Sequence, residues 1–304
     1  MYNLKRNTKL YIVELNGAGA ATNKHQIEIY SDITASQTFD EQSYKRKTLH
    51  TQLDLHEHAV ISKANPANFS FTTPLLSIAT VPIVLTLGRE YSTGTLVPFD
   101  IYLETDTVVY KLEKSIIETI TFNITKEAII TLSVSGTGAK LSKFGNVGSV
   151  TIPGTTFSVG AKQYTYANRL DCTIGGTALS SIAALNVDLK NDVEWLTSTT
   201  IQGTLSGTTS YPQTYVLQNR SIYGSVTQFL TTENIDNLSD TSVSSTLVLD
   251  VYSTSYSTSL PILKFNLPSV VFTRRIGFDD IINRVYDYRL NTNTITVKPL
   301  YKGV

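Results

Sequence analysis

The residues best spaced for chemistry are His56-Glu57-His58. On a strand, both imidazoles of a His-x-His would share one face, and a third ligand would complete a metal site. No spacing rule brings His25 or His50 to them, so the stretch reads as polar strand residues. Cys172 is the single cysteine, which excludes an intrachain disulfide and a Cys-based zinc site. A thiol nucleophile needs a base and an orienting group, and nothing in the sequence singles these out. It reads as a buried structural thiol. Asp279-Asp280 with Asp287 would form a carboxylate cluster if the fold joined them, but they also read as a helix cap followed by a surface charge. Gly136-Thr137-Gly138 and Gly175-Gly176 read as turn glycines, and there is no nucleophile elbow, Walker loop or dinucleotide fingerprint. Arg284-Val285-Tyr286-Asp287-Tyr288-Arg289 interleaves basic and aromatic residues as a single-strand binder does. The acid within it favours an inter-subunit contact instead. Trp195, the only tryptophan, reads as a core or interface anchor. The sequence therefore implies neither an enzyme nor a cofactor, and no metal.

These residues must be positioned by 304 residues carrying 25 basic and 25 acidic side chains. That length holds one large domain or two of about 150 residues. Zero net charge excludes a globally basic nucleic-acid binder and a polyacidic tail. Charged residues make up 16%, below the roughly 25% of ordinary soluble domains, and Ser, Thr and 17 Tyr fill the gap. Such a surface suits a protein whose faces are covered by neighbours. The N-terminal residues form no signal peptide, no run reaches the ~20 apolar residues of a membrane span, and folding in a reducing cytoplasm is expected.

Period-two alternation runs through most of the chain, for example at Leu10–Val13, Phe99–Leu103, Ile116–Ile124, Leu185–Leu189, Ile222–Leu230, Leu247–Tyr252 and Val270–Ile276. The expectation is mainly antiparallel β. Helical patterns are short: Thr232–Leu238, with a Thr cap, and Asp279–Tyr286. Ser135–Gly138 and Lys190-Asn191-Asp192 read as turns. Gly88–Gly94 and Gly203–Gly207 read as hairpin tips. Residues 31–50 break the alternation and read as a long loop, either solvated or folded onto a neighbouring subunit.

An internal repeat organises these strands. Tyr110–Thr119 matches Leu263–Thr273 in its Lys, its alternating apolar positions, the Ser before two β-branched residues, and its Thr. Asn68–Leu75 matches Ser221–Leu230, and Asn7–Leu10 faces Ala167–Leu170. The offset is about half the chain. This implies two tandem domains, 1–150 and 151–304, joined through the Gly/Pro-punctuated stretch Gly145–Gly154.

On these features the chain resembles the tail tube (major tail) proteins of tailed bacteriophages, in the larger form with two tandem tube domains. Leu4–Ile12 looks like the family's first strand. Ala178–Asn191 is similar to its small-residue turn and following strand. Val216–Thr227 looks like its Arg-x-x-x-Gly-Ser-φ-Thr strand. The likeness covers most of the chain and is strongest from about Arg169 to Leu290. It implies two β-sandwich domains, each with a short flanking helix, an extended hairpin and a long loop, whose sheets join into an inner β-barrel on ring assembly. It implies a structural virion protein that self-assembles into stacked rings and conducts double-stranded DNA, without sequence specificity, into the host cell. Two domains per chain favour trimeric rings of pseudo-sixfold symmetry, with a hexamer as the alternative. The implied partners are baseplate or initiator proteins, a terminator and a possible sheath protein. The implied location is the phage tail, assembled in the host cytoplasm.

Within that resemblance, Phe39, Tyr44, Lys45, Arg46 and Lys47 of the long loop, with Arg89, Glu90 and Tyr91 of a hairpin tip, are the candidates for contact between rings. Glu118, Glu127, Asp188 and Asp192, among Ser and Thr neighbours, are the candidates for lining a lumen. Three other readings stay open. One is a ring-forming baseplate hub or tail terminator component. The second is a carbohydrate- or receptor-binding β-sandwich using Tyr211, Tyr215 and Tyr223. The third is a hydrolase with carboxylates distant in sequence.

Overall fold

The computed structural model describes residues 5–30, 33–46, 55–75, 96, 98–125, 128–156, 166–197, 210–232, 245–253, 261–278, 280–291 and 296–299. The architecture is mainly β, as the alternation requires. In the first half the strands are β1 (Lys9–Leu15), β2 (Ala21–Ile27), β3 (Ile33–Ser36), β4 (Phe39–Arg46), β5 (Leu55–Ala64), β6 (Ala67–Pro74), β7 (Phe99–Glu104), β8 (Val108–Thr125), β9 (Thr131–Gly138) and β10 (Lys140–Asn146). A two-residue strand, β11 (Thr155–Thr156), runs parallel to β2 in the connection. The second half holds β12 (Arg169–Ile174), β13 (Thr177–Leu179), β14 (Ile182–Thr197), β15 (Pro212–Phe229), β16 (Ser245–Tyr252), β17 (Leu263–Phe278), β18 (Ile282–Leu290) and β19 (Thr296–Pro299).

Eight strands form one antiparallel sheet in the order β3, β6, β9, β8, β14, β15, β18, β17. Its first four strands come from the first half of the chain and its last four from the second. Two smaller sheets pack against it. One has the order β2, β1, β7, β8, β10, and the other β13, β12, β16, β17, β19. β8 and β17 each run through a small sheet and then the large one. In β8 the change falls at Lys114, which has a positive φ of 49°. Asp100, itself buried, accepts the Lys114 N–H at 2.9 Å and pairs with Lys111 at 3.0 Å, which holds this unfavourable backbone in place. In β17 the change falls at Pro268-Ser269, where register with β16 is interrupted.

The ladders of the two halves correspond one by one. The β1–β2, β1–β7, β7–β8, β8–β9, β8–β10 and β6–β9 ladders have counterparts in β12–β13, β12–β16, β16–β17, β17–β18, β17–β19 and β15–β18. The β3–β6 and β4–β5 pairs together correspond to the long β14–β15 hairpin.

One apolar core fills the space between the sheets. Ile120, Phe122 and Ile124 of β8 point into it with Val187, Val226, Tyr286 and Tyr288 from the second half. Phe122 meets Phe265 edge-on with ring centroids 5.1 Å apart, a favourable quadrupole arrangement that ties the large sheet to the small sheet of the other half.

Several local expectations give way to this packing. Residues 33–36 and 39–46 are strands rather than loop, because their backbone groups pair with β6 and β5. Asp279–Tyr286 is not a helix: from Ile282 it is β18, with Tyr286 and Tyr288 both buried at period two. Asp279 itself and the candidate helix at 233–238 lie outside the described residues, and the only helical segment among the described residues is the turn Lys5–Asn7. Lys190-Asn191-Asp192 is no turn; β14 runs through it with a bulge at Asp192/Val193. Gly136 and Gly138 are buried in β9, where a Cβ on Gly136 would lie 2.0 Å from the Ile116 carbonyl oxygen. Gly175-Gly176 does form a turn, both residues having positive φ.

Truncating Phe122→Ala removes a fully buried ring that joins both halves. It is expected to destabilise the chain by about 3–5 kcal/mol. A urea titration followed by Trp195 fluorescence measures this, and a loss below 1 kcal/mol would contradict the packing described.

Candidate assembly surface

The eight-stranded sheet has a second face, opposite the core. Strand alternation sends Thr119, Thr121 and Asn123 of β8 there, together with Asn186, Asp188 and Lys190 of β14. Across the sheet, one row of directly opposed residues runs Thr72, Ser133, Thr121, Asp188, Tyr223, Arg289, Val271. Hydroxyl and amide contacts knit this face: Thr34 to Ser70 at 2.7 Å, Thr72 to Ser133 at 3.5 Å, and Asn186 Nδ2 donating to Asn123 Oδ1 at 3.4 Å. Thr121 donates to Asp188 across the junction of the halves. Charge on the face is partly balanced in place, with Arg275 3.0 Å from Asp287. The result is a broad polar surface of short side chains, with a shallow depression lined by Asp188, Tyr223, Ser225, Thr273, Asp287 and Arg289.

Of the four acids expected to line a lumen, Asp188 lies on this face and is half-buried. Asp192 is exposed at the β14 bulge. Glu118 is the extra residue where β8 shifts register against β9. It is half-buried and accepts a hydrogen bond from Thr137, which in turn accepts one from Trp195 Nε1 at 2.7 Å. Burial lifts the Glu118 carboxyl above its ordinary value, opposed by the Thr137 hydrogen bond; nearby Asp192 lifts it further and Lys190 opposes. Glu127 lies outside the described residues.

Of the contact candidates, Phe39 is 46% exposed at the start of β4 and meets Tyr211 edge-on at 6.5 Å. Tyr44, Lys45 and Arg46 follow along β4, opposite Glu57, His56 and Leu55 of β5. For that part of β4, and for His56-Glu57-His58, only the backbone is described. Lys47, Arg89, Glu90 and Tyr91, and the hairpin tips at 88–94 and 203–207, lie outside the described residues.

The three candidate ligand-stacking tyrosines do not converge. Tyr211 carries Lys140 Nζ 4.7 Å over its ring, Tyr215 packs on Trp195 and donates to the Leu96 carbonyl at 3.1 Å, and Tyr223 lies well along β15 on the polar face. The basic-aromatic run of β18 is divided by its alternation. Arg284, Tyr286 and Tyr288 are buried, with Arg284 donating to Tyr286 Oη and Tyr286 Oη to Gln228. Val285, Asp287 and Arg289 alternate to the polar face, so only half of the run is presented there. Cys172 is buried among core residues, and desolvation pushes its thiol up to about 12.

Sequence reasoning missed two features. The distal part of the β14–β15 hairpin lies on the first half of the chain, through Trp195, Tyr215 and the Lys63–Ser210 bridge. An apolar patch of Ile276, Phe278, Ile281 and Ile282 is exposed at the β17–β18 end, Phe278 by 81%. The runs of large apolar residues there were visible, but only the ladder reveals that nothing described covers them.

Because its folded-state value is raised, Glu118 costs stability as pH rises from its ordinary 4.5 through the folded value, and costs nothing below both. Glu118→Gln should therefore unfold at higher urea than the native chain at pH 7 and match it below pH 4.5. An equal difference at both pH values would rule out the ionisation as the cause. Cys172 should resist Ellman's reagent in the folded chain and react on unfolding; rapid native labelling would contradict its burial.

The whole chain is similar to a known family. The model of the Bacteriophage Baseplate Tube Protein Family matches residues 1–303. No curated protein matches it.

Proposed function

This chain belongs to the bacteriophage baseplate tube protein family and so has a structural role in the phage tail, and we propose that it forms rings of three chains that stack as tube, the polar sheet face lining a channel for double-stranded DNA. The observation that carries this reading is the eight-stranded sheet with one greasy and one hydroxyl-rich face, built from two halves with matching ladders. In this reading the halves are two tandem domains, 1–150 and 151–304, and each takes one of six positions around the ring. Assembly takes place in the host cytoplasm, where initiator, terminator and possible sheath proteins meet the tube.

The physics supports a conduit. Three chains of eight strands give 24 strands, and at ~4.8 Å spacing with modest tilt these close at about 40 Å across the backbone, room for a DNA duplex. A passage for DNA must not grip it, because each neutralised phosphate adds affinity. Short hydroxyls, amides and locally paired charges meet that condition, and Asp188 and Asp192 add repulsion for phosphate. Ring closure also protects the sheet edges.

A second reading, a ring that belongs to the baseplate and does not polymerise, is compatible with the family's description, which names both baseplate and tube. Electron microscopy of the concentrated recombinant chain decides between them. Stacked rings of three chains with sixfold-like density are expected. Single unstacked rings would favour the baseplate reading, and a strict monomer at every concentration would sink both.

A further inference from the structure

The junction between the halves repeats a pattern that the chain leaves incomplete at its two sheet edges. Directly opposed residues form one row in the first half, Ile33, Phe71, Val134, Ile120, and a matching row in the second, Val187, Gly224, Tyr288, Phe272. Where the halves meet, Ile120 faces Leu189, two residues beyond Val187. The next strand in line after Phe272 would meet the residue two beyond Ile33, which is Ala35. Among the described strands, however, the 271–278 part of β17 pairs only with β18, and β3 pairs only with β6.

We propose that these two edges dock on each other in different copies of this chain: β3 of one copy adds antiparallel to β17 of the next, with Ala35 opposite Phe272, Thr34 opposite Thr273, and Ser36 opposite Val271. This inference rests on the self-assembly reading and supplies the surface and register by which it proceeds.

Three further observations point to the same occupant. Strand directions alternate through all eight strands, so β3 of a second copy arrives antiparallel to β17, as β14 does to β8. Exposure marks the open place: Ile124, four residues beyond Ile120, is 1% exposed, whereas Ile276, four residues beyond Phe272, is 51% exposed. The β4–β5 ribbon pairs as a sheet with no third described strand, although its counterpart, the distal β14–β15 hairpin, rests on the first half through Trp195 and Tyr215. The ribbon's base is held by the Lys63–Ser210 bridge and the Phe39–Tyr211 contact, and beyond such a base a two-stranded ribbon alone is marginal in water. In the docked arrangement it lies over the second half of the neighbouring copy, as its counterpart lies over the first.

The test is a disulfide at the seam in the full-length chain. Directly opposed residues of an antiparallel pair lie about 4.5–5.5 Å apart at Cα, within disulfide reach. Thr34 and Thr273 are both exposed, and native Cys172 is buried. Thr34→Cys protein mixed with Thr273→Cys protein, allowed to assemble and then oxidised, should give a reducible dimer. The double variant should give covalent species ending at the trimer. The slipped pair Thr34→Cys with Val271→Cys should cross-link at least tenfold less. Rings by electron microscopy without the Thr34–Thr273 cross-link would overturn the seam while leaving self-assembly standing, and equal yield from the slipped pair would overturn the register. Failure of the native chain to assemble would overturn both.

Discussion

Everything in this protein follows from the need of backbone N–H and C=O groups in a flat, hydroxyl-rich sheet to find partners. β8 and β14 meet that need for each other over seven residue pairs, Lys190–Thr119 to Ala184–Thr125, and so turn two halves of a chain into one sheet. The side chains then follow by alternation. Ile120, Phe122 and Ile124 go inward with Leu185, Val187 and Leu189, while Thr119, Thr121 and Asn123 go outward with Asn186, Asp188 and Lys190. A slip of one residue would exchange the two faces, so the buried face fixes the register.

The polar face and the core are thus products of one ladder. Because every second residue is committed to the core, the outward residues are free of packing demands, and short hydroxyls and amides occupy them. This explains the low charged fraction without special pleading. At the junction Asp188 accepts a hydrogen bond from Thr121, and elsewhere charges pair, as in Arg275–Asp287 and Lys111–Asp100. The bends in β8 and β17 add the second layer, since one strand serves both a small sheet and the large one and carries the core between them.

Much of the fold was legible beforehand. The matches of Asn68–Leu75 with Ser221–Leu230 and of Tyr110–Thr119 with Leu263–Thr273 fall on strands that occupy corresponding places in the ladders. The site was less legible. Asp188 stood out as an acid in a clean alternation, yet its partner Thr121 is 67 residues away. Glu118 reads from the sequence as a lumen-lining acid, and only the bulge against β9 shows it beside Thr137, which Trp195 also reaches. The segment 31–50 carried too little alternation to reveal β3 and β4, because edge and ribbon strands bury little and their sequences need not alternate.

What the sequence determined by itself is the class: mainly strands, no intrachain disulfide and a low charged fraction. These are local or compositional properties, and period two is enforced residue by residue wherever one face is buried. Only the tertiary structure decided which strands are neighbours, which face stays open and which edges lack a partner among the described strands. Hydrogen-bond ladders join residues far apart in the chain, and nothing in the local pattern of β17 distinguishes an edge from the interior strand that β8, its counterpart, becomes.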